Sequence, residues 1–186
     1  CGITKEEVLM QMQDYIGRLA QANEWTIEET ISQLKQQYDG YHFTWPSPDL
    51  FNPFSLLNAF NVNRLENYWF SSGTPTYLIE MLRKFHVVPS DLSKIQVLAS
   101  DFDAPTENMR NITPLLYQSG YVTIKDFNRT TRLYTLDIPN NEIRVGLMDS
   151  LLPNYVEMRK EAGNTTIARM YLALLNEDLD EMFRLL

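Results

Sequence analysis

Apolar positions in this chain recur mostly with the period of a helix. Val8, Met12, Tyr15, Ile16 and Leu19 fall at i, i+4, i+7, i+8 and i+11, which puts them on one face. Thr4 precedes this run and Glu7 follows three residues later. That spacing predicts a capping box, in which two side chains satisfy backbone N–H groups that the first turn leaves unpaired. Thr26 and Glu29 repeat the device ahead of Ile27, Ile31, Leu34 and Tyr38, and Gly40 is placed to act as a left-handed residue after that helix. Asn52-Pro53, Thr74-Pro75 and Thr113-Pro114 read as helix starts, because proline's missing N–H has no helical partner at the first position. The first predicts a helix from Phe54 to about Asn61, the second a stripe of Leu78, Ile79, Leu82 and Phe85, and the third a short helix stopped at Gly120.

The period then changes. Residues 121–127 and 132–138 are β-rich, with alternation strongest in the second run, and the polar stretch between them reads as a hairpin tip. Leu136, with Leu133 or Tyr134, is expected to pack on Leu115, Leu116 and Leu147. Helix resumes after Pro139 with Asn141 as the expected cap, and two further helices are expected over about 166–175 and 178–186. Leu179, Met182, Phe183 and Leu186 form an apolar stripe on the last of these, which needs a partner to bury it. The order is helices, then helix–hairpin–helix, then a helical tail. A helix followed by a two-stranded wing is the sequence outline of a winged helix, and the boundary before it is expected near residues 86–93.

Composition adds limits. The chain has 186 residues, 44% of them hydrophobic and 12% aromatic, enough for one domain or two small ones with a real core. No apolar run approaches the roughly 18 residues of a membrane helix, and the N-terminus carries no signal-peptide pattern. The one cysteine, Cys1, excludes an internal disulfide framework, and a cytoplasmic setting is expected. Net charge is −8, spread evenly over both halves, so neither half offers a broad basic footprint for nucleic acid. The chain begins at Cys1 rather than Met and ends in a helical pattern, which reads as a piece of something longer.

The motifs of common catalysts are missing from the sequence. No Gly precedes a Lys, so there is no phosphate-cradling GxxxxGK[ST] loop. No GxSxG elbow occurs. None of the lysines has an acid two positions before it, as the (D/E)xK element of a metal-dependent nuclease requires. Two histidines and a terminal cysteine cannot assemble a Cys/His zinc site within one chain. Residues 95–103, "IQVLASDFD", look like a strand ending in a Mg²⁺-binding acid at Asp101 or Asp103. They are read instead as a plain helix-to-loop junction, because such a site also needs substrate phosphates. "YDGYHF" offers Asp39 and His42 as an acid/base pair, but Asp39-Gly40 is ordinary turn chemistry and no nucleophile is in view. The hairpin's Lys125, Arg129 and Arg132 are the weak nucleic-acid candidates; the preceding "TPLLYQSG" has no basic residue.

Several phrases together, "CGITKEEV", "QYDGYHF", "FNPFSLLNAF", "YWFSSGTPTYLIEML", "PLLYQSGYVTIKDF" and "YTLDIPNNEIRVGLMDSLLPNY", resemble the bacterial AAA-ATPase-like family. The resemblance runs from Cys1 to about Tyr155. It implies a protein with an N-terminal P-loop ATPase core, then a helical and winged-helix region, often followed by a PD-(D/E)XK nuclease-like domain. This chain matches only the middle region. The resemblance therefore implies a mainly α fold: a helical lid-like bundle over 1–87, a winged-helix-like domain with one β-hairpin over 88–155, and a helical tail or linker over 156–186. It implies no catalytic residues and no metal or cofactor here, with ATP and Mg²⁺ held by the parent protein. The implied partners are the core and the nuclease-like domain of the same polypeptide. Tyr38, Asp39, Tyr41, His42, Trp45 and Asn52 form the candidate domain interface, and Tyr41 and His42 are the weak candidates for touching nucleotide. Some of Tyr41, His42 and Trp45 are expected to stay partly exposed. The rival readings are a DNA-binding winged-helix regulator and a self-contained metal-dependent hydrolase built on Asp39, His42, Asp101 and Asp103.

Overall fold

The computed structural model describes residues 2–71, 76–87, 92–103, 105, 109, 111–158 and 173; side chains are described through 150, except that of residue 71, and at 173. The element order is β1 (Ile3–Thr4), α1 (Lys5–Gln11), α2 (Gln13–Asn23), α3 (Ile27–Tyr38), β2 (Leu50–Phe51), α4 (Pro53–Val62), α5 (Tyr68–Ser71), α6 (Thr76–Lys84), β3 (Ile95–Val97), α7 (Ala99–Phe102), α8 (Thr113–Gln118), β4 (Thr123–Asn128), β5 (Leu133–Asp137) and α9 (Asn141–Met158). Helix dominates, with small antiparallel sheets beside it. The Thr74-Pro75 helix start and, apart from residue 173, the expected helices beyond residue 158 lie outside the described residues. The chain divides into two compact units, Cys1–Arg144 and Val145–Leu186; the expected division at 87/88 falls inside the first unit.

Both capping boxes form. Thr4 Oγ1 accepts from the Glu7 N–H at 3.2 Å while Glu7 accepts from the Thr4 N–H at 2.8 Å, and Thr26 and Glu29 make the same exchange. The first helical stripe is broken at Met12 (φ −122°, ψ 24°), which ends α1 and precedes α2. Val8, Ile16 and Leu19 still reach the core, but Tyr15 stays exposed, its ring 5.6 Å from Phe60 and under the Arg18 guanidinium. The bundle core joins these residues to Leu34 and Tyr38 of α3, Phe51 of β2, and Leu56, Ala59 and Phe60 of α4. Asn52 caps α4 as expected, its Oδ1 accepting the Phe54 N–H at 3.0 Å with Pro53 first in the helix.

Beyond the bundle, β3, β4 and β5 form a sheet in the order β3-β5-β4. The hairpin β4–β5 is where the alternation placed it. Strand β3 corrects the helix-to-loop reading of residues 95–103: Ile95, Gln96 and Val97 pair with Leu136, Thr135 and Tyr134, and α7 follows directly. Short apolar segments carry too little period to separate a strand from a helix end. Asp101 is turned back to accept the Leu98 N–H at 3.0 Å. Two caps also differ from expectation. Helix α8 begins at Thr113, whose N–H is held by Asn111 Oδ1, and Asn140 rather than Asn141 caps α9, its Oδ1 accepting the Ile143 N–H.

Candidate functional site

Strand β4 carries a bulge at Lys125. Ile124 pairs with Leu136 and Asp126 with Thr135, so Lys125 has no partner across the ladder. A bulge leaves one residue unpaired and re-aims its side chain. Here the Lys125 ammonium donates to the Gly40 carbonyl at 2.6 Å and lies 3.4 Å from the Pro139 carbonyl. Two residues earlier on the same strand, Thr123 Oγ1 accepts the His42 N–H at 2.7 Å and donates to the His42 carbonyl at 2.8 Å. Asn140 Nδ2 donates to the Asp39 carbonyl at 3.0 Å. Residues 39–42 thus form a seam between the helical bundle and the hairpin, and their backbone carries it.

Gly40 is required in this seam. Its φ is +99°, and a Cβ there would sit 2.5 Å from the Pro139 carbonyl oxygen and 2.8 Å from Lys125 Nζ. On its other side Tyr41 exchanges backbone hydrogen bonds with Leu50 at 3.1 Å, and the Asn52 N–H donates to the Tyr38 carbonyl at 2.9 Å. A buried segment with its backbone groups paired this way is a folding device before it is anything else.

The expected interface residues are mostly buried. Tyr38, Asp39, Tyr41 and His42 are inside, while Trp45 and Asn52 are partly exposed. Asp39 and His42 do not form an acid/base pair. Asp39 Oδ1 accepts the Gly40 N–H at 2.9 Å, and His42 Nε2 faces Asp49 at 3.0 Å. Burial raises the Asp39 carboxyl, partly offset by the Gly40 N–H. Burial and the nearby Lys125 charge lower the His42 imidazole, partly offset by Asp49. Burial also lowers the Lys125 ammonium, against the pull of Asp49, Asp137 and Asp39. Lys125, one of the weak nucleic-acid candidates, is turned into the seam, while Arg129 and Arg132 are exposed.

Sequence reading missed Glu142. Its side chain is fully buried on the first turn of α9, yet its Oε1 accepts from Ser55 Oγ at 2.8 Å and from the Trp69 N–H at 2.9 Å. It therefore anchors the start of α5 to α4. Burial raises its carboxyl, partly offset by the Trp69, Ser55 and Tyr68 hydrogen bonds. A glutamate just after a helix cap normally reads as an exposed dipole partner, so no local pattern could have found this one.

Against the seam lies a cavity of about 320 Å³. Tyr41, His42 and Phe43 border it on one side, Trp69 and Tyr117 on others, with Ser119 among its polar contacts. Among the described residues, none that lines it is Lys, Arg, Asp or Glu. Among the described residues, no group of three or more His, Cys, Asp or Glu side chains could hold a metal ion. Among the same residues, no helix is long and apolar enough to cross a membrane.

The chain is 32% identical over 150 residues to an uncharacterized protein in the vnfD 5′ region of Azotobacter chroococcum mcd 1. That match covers 78% of this chain and 28% of the relative, so the chain spans under a third of the relative's length. No family model matches the chain, and no solved structure matches it.

Proposed function

We propose that these residues are a non-catalytic lid and winged-helix segment of a bacterial AAA-ATPase-like protein. On this reading the segment regulates or assembles a P-loop ATPase core that lies outside it. The observation that carries the reading is the sheet order β3-β5-β4 following α6, with α7 and α8 between β3 and the hairpin. A strand, two helices and a hairpin that closes back on the first strand are the parts of a winged helix. The seam at residues 39–42 ties that arrangement to the helical bundle, so a displacement of one is passed to the other. A relay of this kind needs two populated arrangements biased by nucleotide in the core. Membership of a longer polypeptide is supported by the match covering only 28% of the relative.

Exposed apolar side chains support neighbours as well. Phe54, Leu57 and Val62 of α4 are each about half exposed, and Met10 of α1 is 79% exposed. Exposed apolar groups beside one another mark interaction surfaces. ATP and Mg²⁺ do not fit the cavity against the seam, because among the described residues no cation lines it to meet a triphosphate. On this reading the nucleotide is held by the core, and no step of its hydrolysis is assigned to these residues. The DNA-reading and hydrolase alternatives lose ground on the same geometry. Residues Thr113–Leu116 of α8 are buried, and Asp39, His42 and Asp101 are each engaged separately.

The test is to assay phosphate release and nuclease activity with the 186-residue chain and with the protein from its complete reading frame. We expect the chain alone to match buffer. We expect the complete protein to turn over ATP, and Thr123→Val to change that turnover in the assembled protein. ATP hydrolysis by the chain alone, or a complete reading frame without a phosphate loop, would overturn the proposal.

A further inference from the structure

The cavity against the seam has a composition that selects one kind of guest. Its volume of about 320 Å³ is at the small end of ligand sites. Aromatic rings border it in several directions: Tyr41, His42, Phe43, Trp69 and Tyr117. Rings in such numbers offer flat faces and edges to another ring at stacking and edge-to-face distances. The polar groups beside them are neutral amides and hydroxyls, including Ser119 and Thr123. Thr123 already serves both backbone groups of His42, which leaves Ser119 as the better-placed hydroxyl for a ligand.

Charge excludes other guests. Among the described residues, no cation lines the walls to neutralise a phosphate or carboxylate. Behind them, the buried Glu142 carboxyl group accepts the Trp69 N–H, so that donor is already taken and is not offered to an anionic guest. His42 is 6% exposed, and its Nδ1 has no protein partner. Burial and the nearby Lys125 charge lower this imidazole against the pull of Asp49, which disfavours a cation at this wall.

We propose that this cavity is a binding site for a neutral aromatic or heteroaromatic ring of about the size of indole. The inference is independent of the ATPase reading. A ring of this kind comes either as a free small molecule or as an aromatic side chain of a polypeptide, and the chemistry of the pocket is common to both.

The test is titration of ¹⁵N-labelled chain with indole, with benzoate as the anionic aromatic control. N-acetyl-tryptophanamide serves as the side-chain form. Indole should shift the Gly120, Thr123 and Trp69 signals saturably, with a dissociation constant below about 1 mM. Benzoate should bind at least about tenfold more weakly. Ser119→Phe should fill the cavity and abolish the shifts while the remaining spectrum stays native. Phe43→Ala, at a half-exposed position whose loss should spare the fold, should weaken binding at least about threefold. N-acetyl-tryptophanamide binding as tightly as indole would point to a polypeptide guest, and markedly weaker binding would point to a small molecule; both sustain the site. Shifts that stay linear to the solubility limit of indole would overturn it. So would benzoate equal to indole, or both variants binding like the wild type.

Discussion

Thr123 and His42, 81 residues apart, meet through a single hydroxyl that accepts from the His42 N–H and donates to its carbonyl. The hydroxyl does for His42 what a neighbouring strand would do for a ladder residue. Tyr38 repeats the arrangement elsewhere in the bundle, donating its hydroxyl proton to the Glu66 carbonyl and accepting the Glu66 N–H. In both places a side chain closes a backbone account that secondary structure leaves open.

Thr123→Val keeps the shape of the side chain and removes both hydrogen bonds. Two buried backbone groups are then left without partners, at a cost of about 1–3 kcal/mol each. We expect Thr123→Val to lose about 2–4 kcal/mol in urea unfolding, and Thr123→Ser to retain most of the wild-type stability. Equal stabilities for the two variants would show that the hydroxyl is not what holds the seam.

Two glycines should respond to the same substitution with opposite signs. Gly40→Ala places a methyl 2.5 Å from the Pro139 oxygen at a positive φ, so backbone or hairpin must shift. We expect a loss of at least about 2 kcal/mol. Gly17 sits in α2 with nothing within 4 Å of an added Cβ. Gly17→Ala should stabilise by about 0.5–1 kcal/mol through the lower entropy of the unfolded chain. Thermal unfolding of both variants checks the pair; a Gly40→Ala protein as stable as the parent would refute the close approach.

How much of this was written locally in the chain depends on sequence distance. Thr4, Glu7, Thr26, Glu29 and Asn52 cap their helices through partners two or three residues away, so their spacing alone announced them. The hairpin was legible from its alternation. Lys125 read as a basic wing residue because the bulge that turns it inward depends on the register against β5. Glu142 and Asn140 act on residues 87 and 101 positions away, where no periodicity reaches. The sequence reading offered the seam residues as a candidate contact with an outside neighbour. Their neighbour in the structure is the hairpin of the same chain.

Glu142 makes stability depend on pH in a definite direction. Its folded-state carboxyl lies above the reference value of 4.5, so between the two values the native state binds more protons than the unfolded state. Stability contributed by the protonated form is therefore lost as pH rises above 4.5 through the folded-state value. Glu142→Gln removes this group, and the stability of the variant relative to the parent should grow as pH rises across that window. His42 acts with the opposite sign, because its lowered value costs stability as pH falls below 6.5. Taking the variant-minus-parent difference at each pH cancels the His42 contribution. A difference that is flat above pH 4.5 would mean that Glu142 is not held protonated by burial.

Binding of duplex DNA by this chain should be weak and indifferent to sequence. A helix that reads a groove must present side chains to base edges. In α8, Thr113, Pro114, Leu115 and Leu116 are buried and Tyr117 is partly buried, leaving Gln118 as the exposed position. The hairpin retains two exposed cations, Arg129 and Arg132, since Lys125 faces the Gly40 carbonyl. Asp126 is exposed beside them, and the whole chain carries −8. Two phosphate contacts against that background support at most non-specific affinity, with dissociation constants of about 10⁻⁴–10⁻⁶ M at physiological salt. Fluorescence anisotropy with unrelated duplexes should give values no tighter than this range, and Arg129→Ala with Arg132→Ala should remove most of the binding and its salt dependence. Submicromolar affinity for one duplex over another would establish base reading. It would return the hairpin and α8 to the DNA-binding regulator and take away the reason for treating them as a protein-packing module.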